Sequence, residues 1–128
     1  MGTVTRVTME VSNLDEASKL YAELLGIPGQ RHPGARHYFD VGGVIIQMLD
    51  PTQGGMKPSP LPRSLDIAVD DIDAVHARAK KLGILAPFMV HGEPGGEVIT
   101  RPWGERSFFV TDKWGNEVSF VKEGTLYT

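Results

Sequence analysis

The sequence predicts an α+β fold made of two paired modules, each consisting of a strand, a helix and further strands. The first observation is an internal repeat, because a strand followed by a helix occurs near the N-terminus and again from about residue 64. The second is that both helices end at a Leu-Gly pair, Leu25-Gly26 and Leu82-Gly83. The third is that each module ends in a hairpin whose turn holds Asp and, three residues later, Gly.

The repeat also defines the domain organisation. Neither module is large enough to bury its helix and both faces of its sheet alone, so we expect the two to share a core. Module one spans residues 4–50, a linker spans 51–62, and module two spans 63–122. The linker is too rich in Pro and Gly for regular structure.

Module one begins with an alternating segment from Val4 to Val11, which is typical of a half-buried strand. Asn13, with Glu16 three positions later, resembles a capping box and predicts a helix that runs to Gly26. Residues 28–35 are predicted to be a loop. A hairpin over residues 37–49 completes the module, with Asp40 and Gly43 in its turn.

Module two repeats this order. Residues 64–69 alternate like a strand, Asp70 or Asp71 caps a helix, and Gly83 ends it. Residues 85–90 and 97–100 are predicted strands separated by a loop at 91–96. The final hairpin has its turn at Asp112–Asn116, where Gly115 suits a backbone position with positive φ.

Composition excludes several classes of function. The hydrophobic fraction is 41% and the charged fraction 23%, as in ordinary globular proteins. A net charge of −3 without a Lys/Arg run predicts no nucleic-acid or membrane partner, and the absence of cysteine excludes thiolate chemistry. No apolar run approaches membrane-spanning length and no signal-peptide pattern is present, so a cytoplasmic location is expected.

The duplication and the second hairpin resemble the vicinal oxygen chelate superfamily, and most closely its glyoxalase/bleomycin-resistance/dioxygenase group. The residues that carry the resemblance are Pro102-Trp103-Gly104, Arg106, Phe108, Asp112 and Gly115-Asn116. The resemblance implies paired βαβββ modules that form a curled mixed sheet around a cleft. It also implies a homodimer, formed in some relatives by exchange of modules.

The resemblance further implies four metal-ligand positions, at the first strand and near the last strand of each module. Here they hold Arg6, Gln47, Ser64 and Ser119. A divalent ion prefers imidazole or carboxylate donors, whereas arginine is a permanent cation without a lone pair to offer. No His-x-His or His-x-x-x-His pair replaces them, and His76 is expected to be solvated. We therefore predict neither a metal site nor a cofactor.

The cleft is then expected to bind a ligand through placed polar groups and aromatic walls. Glu10 and Asp66 would face it; they could act as an acid/base pair, or Arg6 could simply pair with one of them. Arg106 reaches the cleft or pairs with Glu105 or Glu117, and the roles of Trp114 and His91 stay open. The predicted ligand-binding residues, none of them catalytic, are Arg6, Thr8, Glu10, Tyr38, Gln47, Ser64, Asp66, Trp103, Arg106, Phe108 (or its neighbour Phe109) and Ser119.

Three functions are compatible with this pattern. The first is a metal-free protein that sequesters a small organic molecule, as bleomycin-resistance relatives do. The second is a glyoxalase-like lyase or isomerase, or a dioxygenase, with displaced metal ligands such as Gln47, His91 or Glu93. The third is a non-catalytic accessory module that acts as a dimer. Metal content separates the second from the others, and ligand-induced thermal stabilisation separates the first from the third.

Overall fold

A computed structural model describes residues 1–127 of the chain. The chain divides into two compact units, one covering residues 1–61 and the other starting at Pro62. Each unit contains one helix and one four-stranded mixed sheet, and the second also has a small two-stranded sheet. The predicted α+β class with a repeated βαβββ pattern is confirmed. No helix within residues 1–127 is long and apolar enough to cross a membrane.

The sheet of the first unit has the strand order β1-β4-β3-β2. Its first strand, β1, runs parallel to β4, and the remaining neighbours are antiparallel. The parallel pair needs the crossover helix α1 between its strands. The elements are β1 (Arg6–Glu10), α1 (Leu14–Leu25), β2 (Gln30–His32), β3 (Arg36–Val41) and β4 (Val44–Leu49).

The second unit repeats this topology, with the strand order β5-β10-β9-β8 and the parallel pair β5 and β10. The antiparallel strands β6 and β7 form a separate small hairpin. The elements are β5 (Leu65–Val69), α2 (Ile72–Leu82), β6 (Met89–Val90), β7 (Glu93–Pro94), β8 (Ile99–Thr100), β9 (Arg106–Thr111) and β10 (Glu117–Lys122).

Both helices begin and end where the sequence signals predict. The Asn13 side chain accepts a hydrogen bond from the Glu16 N–H at 3.2 Å, and Asp71 accepts one from the Ala74 N–H at 3.1 Å. Gly26 and Gly83 end the helices in the left-handed conformation. Side-chain oxygens satisfy N–H groups that the first turn of a helix leaves without partners.

Each sheet has one face covered by its helix and one face opposite, which we call the helix-free face. Alternation along the strands assigns every side chain to one of the two. The helix-covered faces hold the apolar cores, with Met9, Phe39, Ile46 and Met48 buried in the first unit and Ile67, Phe108, Val110, Val118 and Phe120 buried in the second.

The structure differs from the sequence prediction in four short segments. Residues 28–35 contain the edge strand β2, and the predicted loop at 91–96 contains β7, which pairs with β6 in a hairpin. The linker begins with a 3-10 helix, Pro51–Gly54, capped by Asp50. The predicted strand at 85–90 is reduced to β6 and one isolated bridge between Leu85 and Val110. These segments are short and are fixed by contacts with other strands, which local patterns do not report.

Candidate functional site

The helix-free face of module one carries a polar row across the three adjacent strands β1, β4 and β3. Thr8 of β1, Gln47 of β4 and Tyr38 of β3 are cross-strand neighbours. The Gln47 side-chain amide donates to the Thr8 hydroxyl at 2.9 Å. Gln47 is buried, whereas Thr8 is exposed and Tyr38 half-buried, so the row runs from the sheet interior to an accessible edge.

Arg6 and Glu10 flank this row on β1, on the same face as Thr8. Arg6 is exposed, and among the described residues it forms no ion pair with Glu10. Glu10 instead accepts a hydrogen bond from the Ser59 N–H at 2.9 Å. The carboxylate thereby fixes part of the linker against β1.

The helix-free face of module two carries the corresponding row. Asp66 of β5, Ser119 of β10 and Phe109 of β9 are cross-strand neighbours. The Ser64 hydroxyl donates to the Asp66 carboxylate at 3.2 Å. The Asp66 side chain is exposed, Ser119 is buried and Phe109 is half-buried. This row mirrors Thr8, Gln47 and Tyr38 in module one.

The pKa of Asp66 is displaced from its ordinary value. Partial burial of the carboxyl group raises the pKa of Asp66, and the negative charge of Glu105 raises it further. Hydrogen bonds from Ser64 and Ser119 act in the opposite direction because they favour the ionised form. An accessible carboxyl group with a raised pKa can accept or share a proton more readily than an ordinary aspartate.

The turn before β9 places Trp103 and Glu105 near this row. The Trp103 indole N–H donates to Glu105 Oε1 at 2.7 Å, and the Tyr127 N–H donates to Glu105 Oε2 at 2.8 Å. Trp103 remains 36% exposed, and the His91 ring meets it edge-on at a centroid distance of 5.3 Å. Trp103 is thus an accessible aromatic surface held in a fixed orientation.

Arg101 lies at the start of the same turn, and the residue is only 2% exposed. Its Nε donates to the Ser107 hydroxyl at 3.2 Å, and its Nη2 donates to the carbonyls of Gly95, Glu97 and Ser107 at 3.0–3.3 Å. Its guanidinium carbon lies 5.5 Å from the centre of the Phe109 ring, on the helix-free face. Sequence reasoning missed Arg101, since nothing in the local pattern distinguishes it from a surface arginine.

Phe108 requires a correction. It is fully buried on the helix-covered face, stacked on Phe120 at 5.4 Å and met edge-on by His76 at 5.0 Å. Its neighbour Phe109 points to the helix-free face. The sequence pattern could not decide which of the two phenylalanines faces the ligand, because a one-residue difference in register exchanges the two faces of a strand.

Arg106 also differs from the prediction. It has the same parity as Phe108 and therefore lies on the side opposite Ser119. Its Nη1 donates to the Thr100 hydroxyl at 3.2 Å. Neither the predicted contact with the ligand face nor a salt bridge with Glu105 or Glu117 is formed among the residues that the structure describes.

The remaining candidates occupy turns and loops. Trp114 lies in the turn between β9 and β10, with the Lys113 ammonium 5.3 Å from the centre of its ring. His91 is exposed in the β6–β7 turn. His76 is not solvated as expected, because its Nε2 donates to the Gly96 carbonyl at 2.9 Å. No three His, Cys, Asp or Glu side chains within residues 1–127 are grouped so that they could hold a metal ion.

Two successive βαβββ units with parallel outer pairs and an antiparallel hairpin define a glyoxalase-like α+β protein. The chain belongs to the Glyoxalase/Bleomycin resistance protein/Dioxygenase superfamily, whose family profile matches residues 3–120. The resemblance inferred from the hairpin and the duplication is thereby confirmed. A comparison with proteins of curated function finds no significant match.

Solved structures support the fold. Oxidase ChaP-H2 is 17% identical with a TM-score of 0.76, and the match covers 96% of this chain and 94% of that one. The lactoylglutathione lyase from Agrobacterium tumefaciens is 20% identical with a TM-score of 0.64, covering 96% and 95%. A glyoxalase/bleomycin resistance protein from Catenulispora acidiphila DSM 44928 is 19% identical with a TM-score of 0.65, covering 94% and 98%. Such identities establish the shared fold only.

The side chains at the four positions that the resemblance associates with metal binding are a poor set of donors for a divalent ion. Arg6 has no lone pair to offer, and Gln47, whose amide nitrogen donates to Thr8, offers only a neutral carbonyl oxygen. Ser64 and Ser119 are neutral hydroxyls, which are poor ligands compared with imidazole or carboxylate. Asp66 is the single carboxylate within the row of module two.

Proposed function

We propose that this protein binds a small organic molecule on the helix-free faces of its sheets, without a metal ion. In this it would resemble the sequestering proteins of the bleomycin-resistance group. The observation that carries the proposal is the chemistry of Arg6, Gln47, Ser64 and Ser119, which replaces metal ligands with hydrogen-bonding groups. Pockets for organic ligands combine a few such polar groups with apolar walls.

The chemistry of module two supports a ligand with a hydrogen-bond donor or a cationic group. Asp66 offers an exposed carboxylate, and Trp103 and Phe109 offer accessible aromatic surface. An aromatic ring attracts cations and stacks on planar groups, with about 1 kcal/mol for each contact. Thr8 and Tyr38 add accessible hydroxyls in module one, beside the exposed charge of Arg6.

A second candidate is a metal-dependent enzyme with displaced ligands. The raised pKa of Asp66 favours it, because a carboxyl group of this kind suits acid/base chemistry. Similar folds also carry the names lactoylglutathione lyase and oxidase. Against it, the suggested replacement ligands His91 and Glu93 lie in the exposed β6–β7 hairpin.

Metal analysis separates these two candidates. We expect protein purified without chelators to contain far less than one equivalent of zinc, iron, manganese or nickel. Addition of each metal should also leave the melting temperature unchanged, because an ion that binds only the native state must raise it. A stoichiometric metal that survives dialysis and stabilises the fold would contradict the binding-protein proposal and favour the enzyme.

A thermal-shift screen tests ligand binding directly. The panel should contain planar cationic, anionic and neutral aromatic compounds, including antibiotics. A ligand present at 100 times its Kd stabilises the native state by about 2.7 kcal/mol. Hits should be weakened in Asp66→Asn and unchanged in Asp73→Asn, a matched exposed aspartate at the start of α2. Failure of every compound would favour the third function, a dimeric accessory module, which predicts a homodimer by light scattering.

A further inference from the structure

The buried guanidinium of Arg101 has one edge without a partner. Three nitrogens form its planar head, and Nε and Nη2 together donate to four acceptors. Nη1 is enclosed and has no hydrogen-bond acceptor among residues 1–127. Buried polar groups are nearly always satisfied, so an orphaned pair of guanidinium N–H groups requires a specific explanation.

Arg101 also forms no ion pair among residues 1–127. All four of its acceptors are neutral, since three are backbone carbonyls and one is the Ser107 hydroxyl. Burial lowers the pKa of Arg101, and the negative charge of Glu93 partly offsets this effect. Arginine nevertheless stays charged at neutral pH, and a buried charge is normally paired. Bonding backbone carbonyls requires only neutral N–H donors, so it does not explain a buried cation with unpaired N–H groups on Nη1.

The position of the guanidinium relates Arg101 to the ligand face. The guanidinium lies over Phe109, which is the cross-strand neighbour of Ser119, and Ser119 is the neighbour of Asp66. We propose that the Nη1 edge of Arg101 binds an oxyanion, a carboxylate or phosphate oxygen, of the small molecule that this protein takes up. The inference rests on the proposed function and names the class of ligand.

The cross-strand order relates this anion site to Asp66. Asp66 and Phe109 lie two strands apart, which corresponds to about 10 Å. Because the guanidinium of Arg101 lies over Phe109, a ligand that reaches both Arg101 and Asp66 is an amphoteric molecule, with an acidic group near Phe109 and a donor or cationic group near Asp66.

Entry of the oxyanion requires a small movement, because Nη1 is enclosed. The segment next to the guanidinium is residues 95–97, which directly follows β7 of the hairpin β6–β7. That hairpin has only two residues in each strand, and its Met89 side chain is 61% exposed. Its turn residue His91 contacts Trp103, so displacement of the hairpin must alter the environment of Trp103.

Trp103 therefore provides the signal for a test. The chain has two tryptophans, and Trp114→Phe leaves Trp103 as the sole reporter. This variant is titrated with benzoate, phenyl phosphate and benzamide, which share a ring and differ in their charged group. We expect a saturable fluorescence change with at least one of the two anions and none with benzamide at the same concentration. The better anion identifies the carboxylate or the phosphate as the preferred group.

Variants of Arg101 complete the test in the same background. Arg101→Lys should weaken anion binding at least tenfold, and Arg101→Met should abolish it, while Arg63→Met, an exposed arginine outside the site, should leave it unchanged. The proposal is overturned if neither anion gives a saturable response, if benzamide matches the anions, or if Arg101→Met retains the affinity. Should Arg101→Met fail to fold, Arg101→Lys and the comparison of benzoate with benzamide still decide. Panel ligands whose affinity depends on Asp66 but not on Arg101 would overturn this inference and leave the proposed function intact.

Discussion

Asp66 and Ser119 are direct cross-strand neighbours on the helix-free face of module two, in the parallel pair β5 and β10. The pair places a carboxyl group beside a buried hydroxyl. Desolvation and Glu105 raise the pKa of Asp66 in spite of that hydroxyl and of Ser64. The environment of Asp66 therefore disfavours its ionised form, so a neutral side chain at this position should stabilise the protein.

Asp66→Asn should raise the melting temperature at pH 7. An acid with a raised pKa binds its proton more tightly in the folded state than in the unfolded state, so the contribution of Asp66 to stability is most favourable at low pH. That contribution falls as the pH rises from the ordinary pKa of 3.8 through the higher pKa of the folded state. The gain should be only about 0.5 kcal/mol, because the side chain is exposed. Thermal melts from pH 3 to 8 measure it, and the gain should vanish below pH 3.8.

Asp73→Asn is the control for this prediction, since Asp73 lies exposed at the start of α2. It should show no such gain at pH 7. If Asp66→Asn proved less stable than wild type at pH 7 and equal to it at pH 3, the carboxylate would be stabilising and the assigned direction would be wrong.

Asp112→Ala should strongly destabilise the protein. The Asp112 carboxylate accepts hydrogen bonds from the N–H groups of Trp114 and Asn116, both at 2.9 Å, and from the Asn116 side-chain amide at 3.0 Å. Asn116 is fully buried, so its amide would be left without this partner. We expect a loss of about 3 kcal/mol in the free energy of unfolding, measured by urea denaturation.

Asp40→Ala is the matched control, because Asp40 occupies the equivalent turn of module one. It accepts one hydrogen bond, from the Gly43 N–H at 2.9 Å, and is exposed. Its loss should cost about 1 kcal/mol. Equal effects of the two substitutions would show that burial of the turn does not determine its contribution to the free energy of unfolding.

Phe108→Ala should destabilise the protein more than Phe109→Ala. Phe108 is fully buried between Phe120 and His76, and its truncation should cost about 4 kcal/mol. Phe109 is half-buried, so its truncation should cost about 2 kcal/mol and should mainly weaken ligand binding. Urea denaturation and the thermal-shift hits report the two effects separately. A reversed order would contradict the assignment of the two faces.

Gly96→Ala should be destabilising, because a Cβ there would lie 2.8 Å from the Ala86 carbonyl oxygen. A backbone atom cannot move aside as a side chain can, so the loss should be about 2 kcal/mol. Gly54→Ala is the control, since within residues 1–127 an added Cβ there would meet no atom within 4 Å outside its two chain neighbours. We expect that substitution to be neutral or slightly stabilising in thermal melts. Similar losses in both variants would argue against close packing at Gly96.

Much of the fold was predictable because it depends on local chemistry. The caps at Asn13 and Asp71, the helix ends at Gly26 and Gly83 and the turn at Asp112 all arise from residues a few positions apart. The edge strand β2 and the hairpin β6–β7 were missed, since strands of two or three residues depend on partners elsewhere in the chain. For the same reason, the pattern could not decide whether Phe108 or Phe109 belongs to the core.

By itself, the sequence determined the duplicated βαβββ order and the family. It also placed Arg6, Gln47, Ser64 and Ser119 at the positions that the resemblance associates with metal binding. These follow from residue identities and short-range periodicity, which do not depend on tertiary contacts. Only the tertiary structure decided that Arg101 is buried with a free edge and that Asp66 adjoins Ser119. Burial and cross-strand neighbourhood depend on which distant segments meet, and no local pattern contains that information.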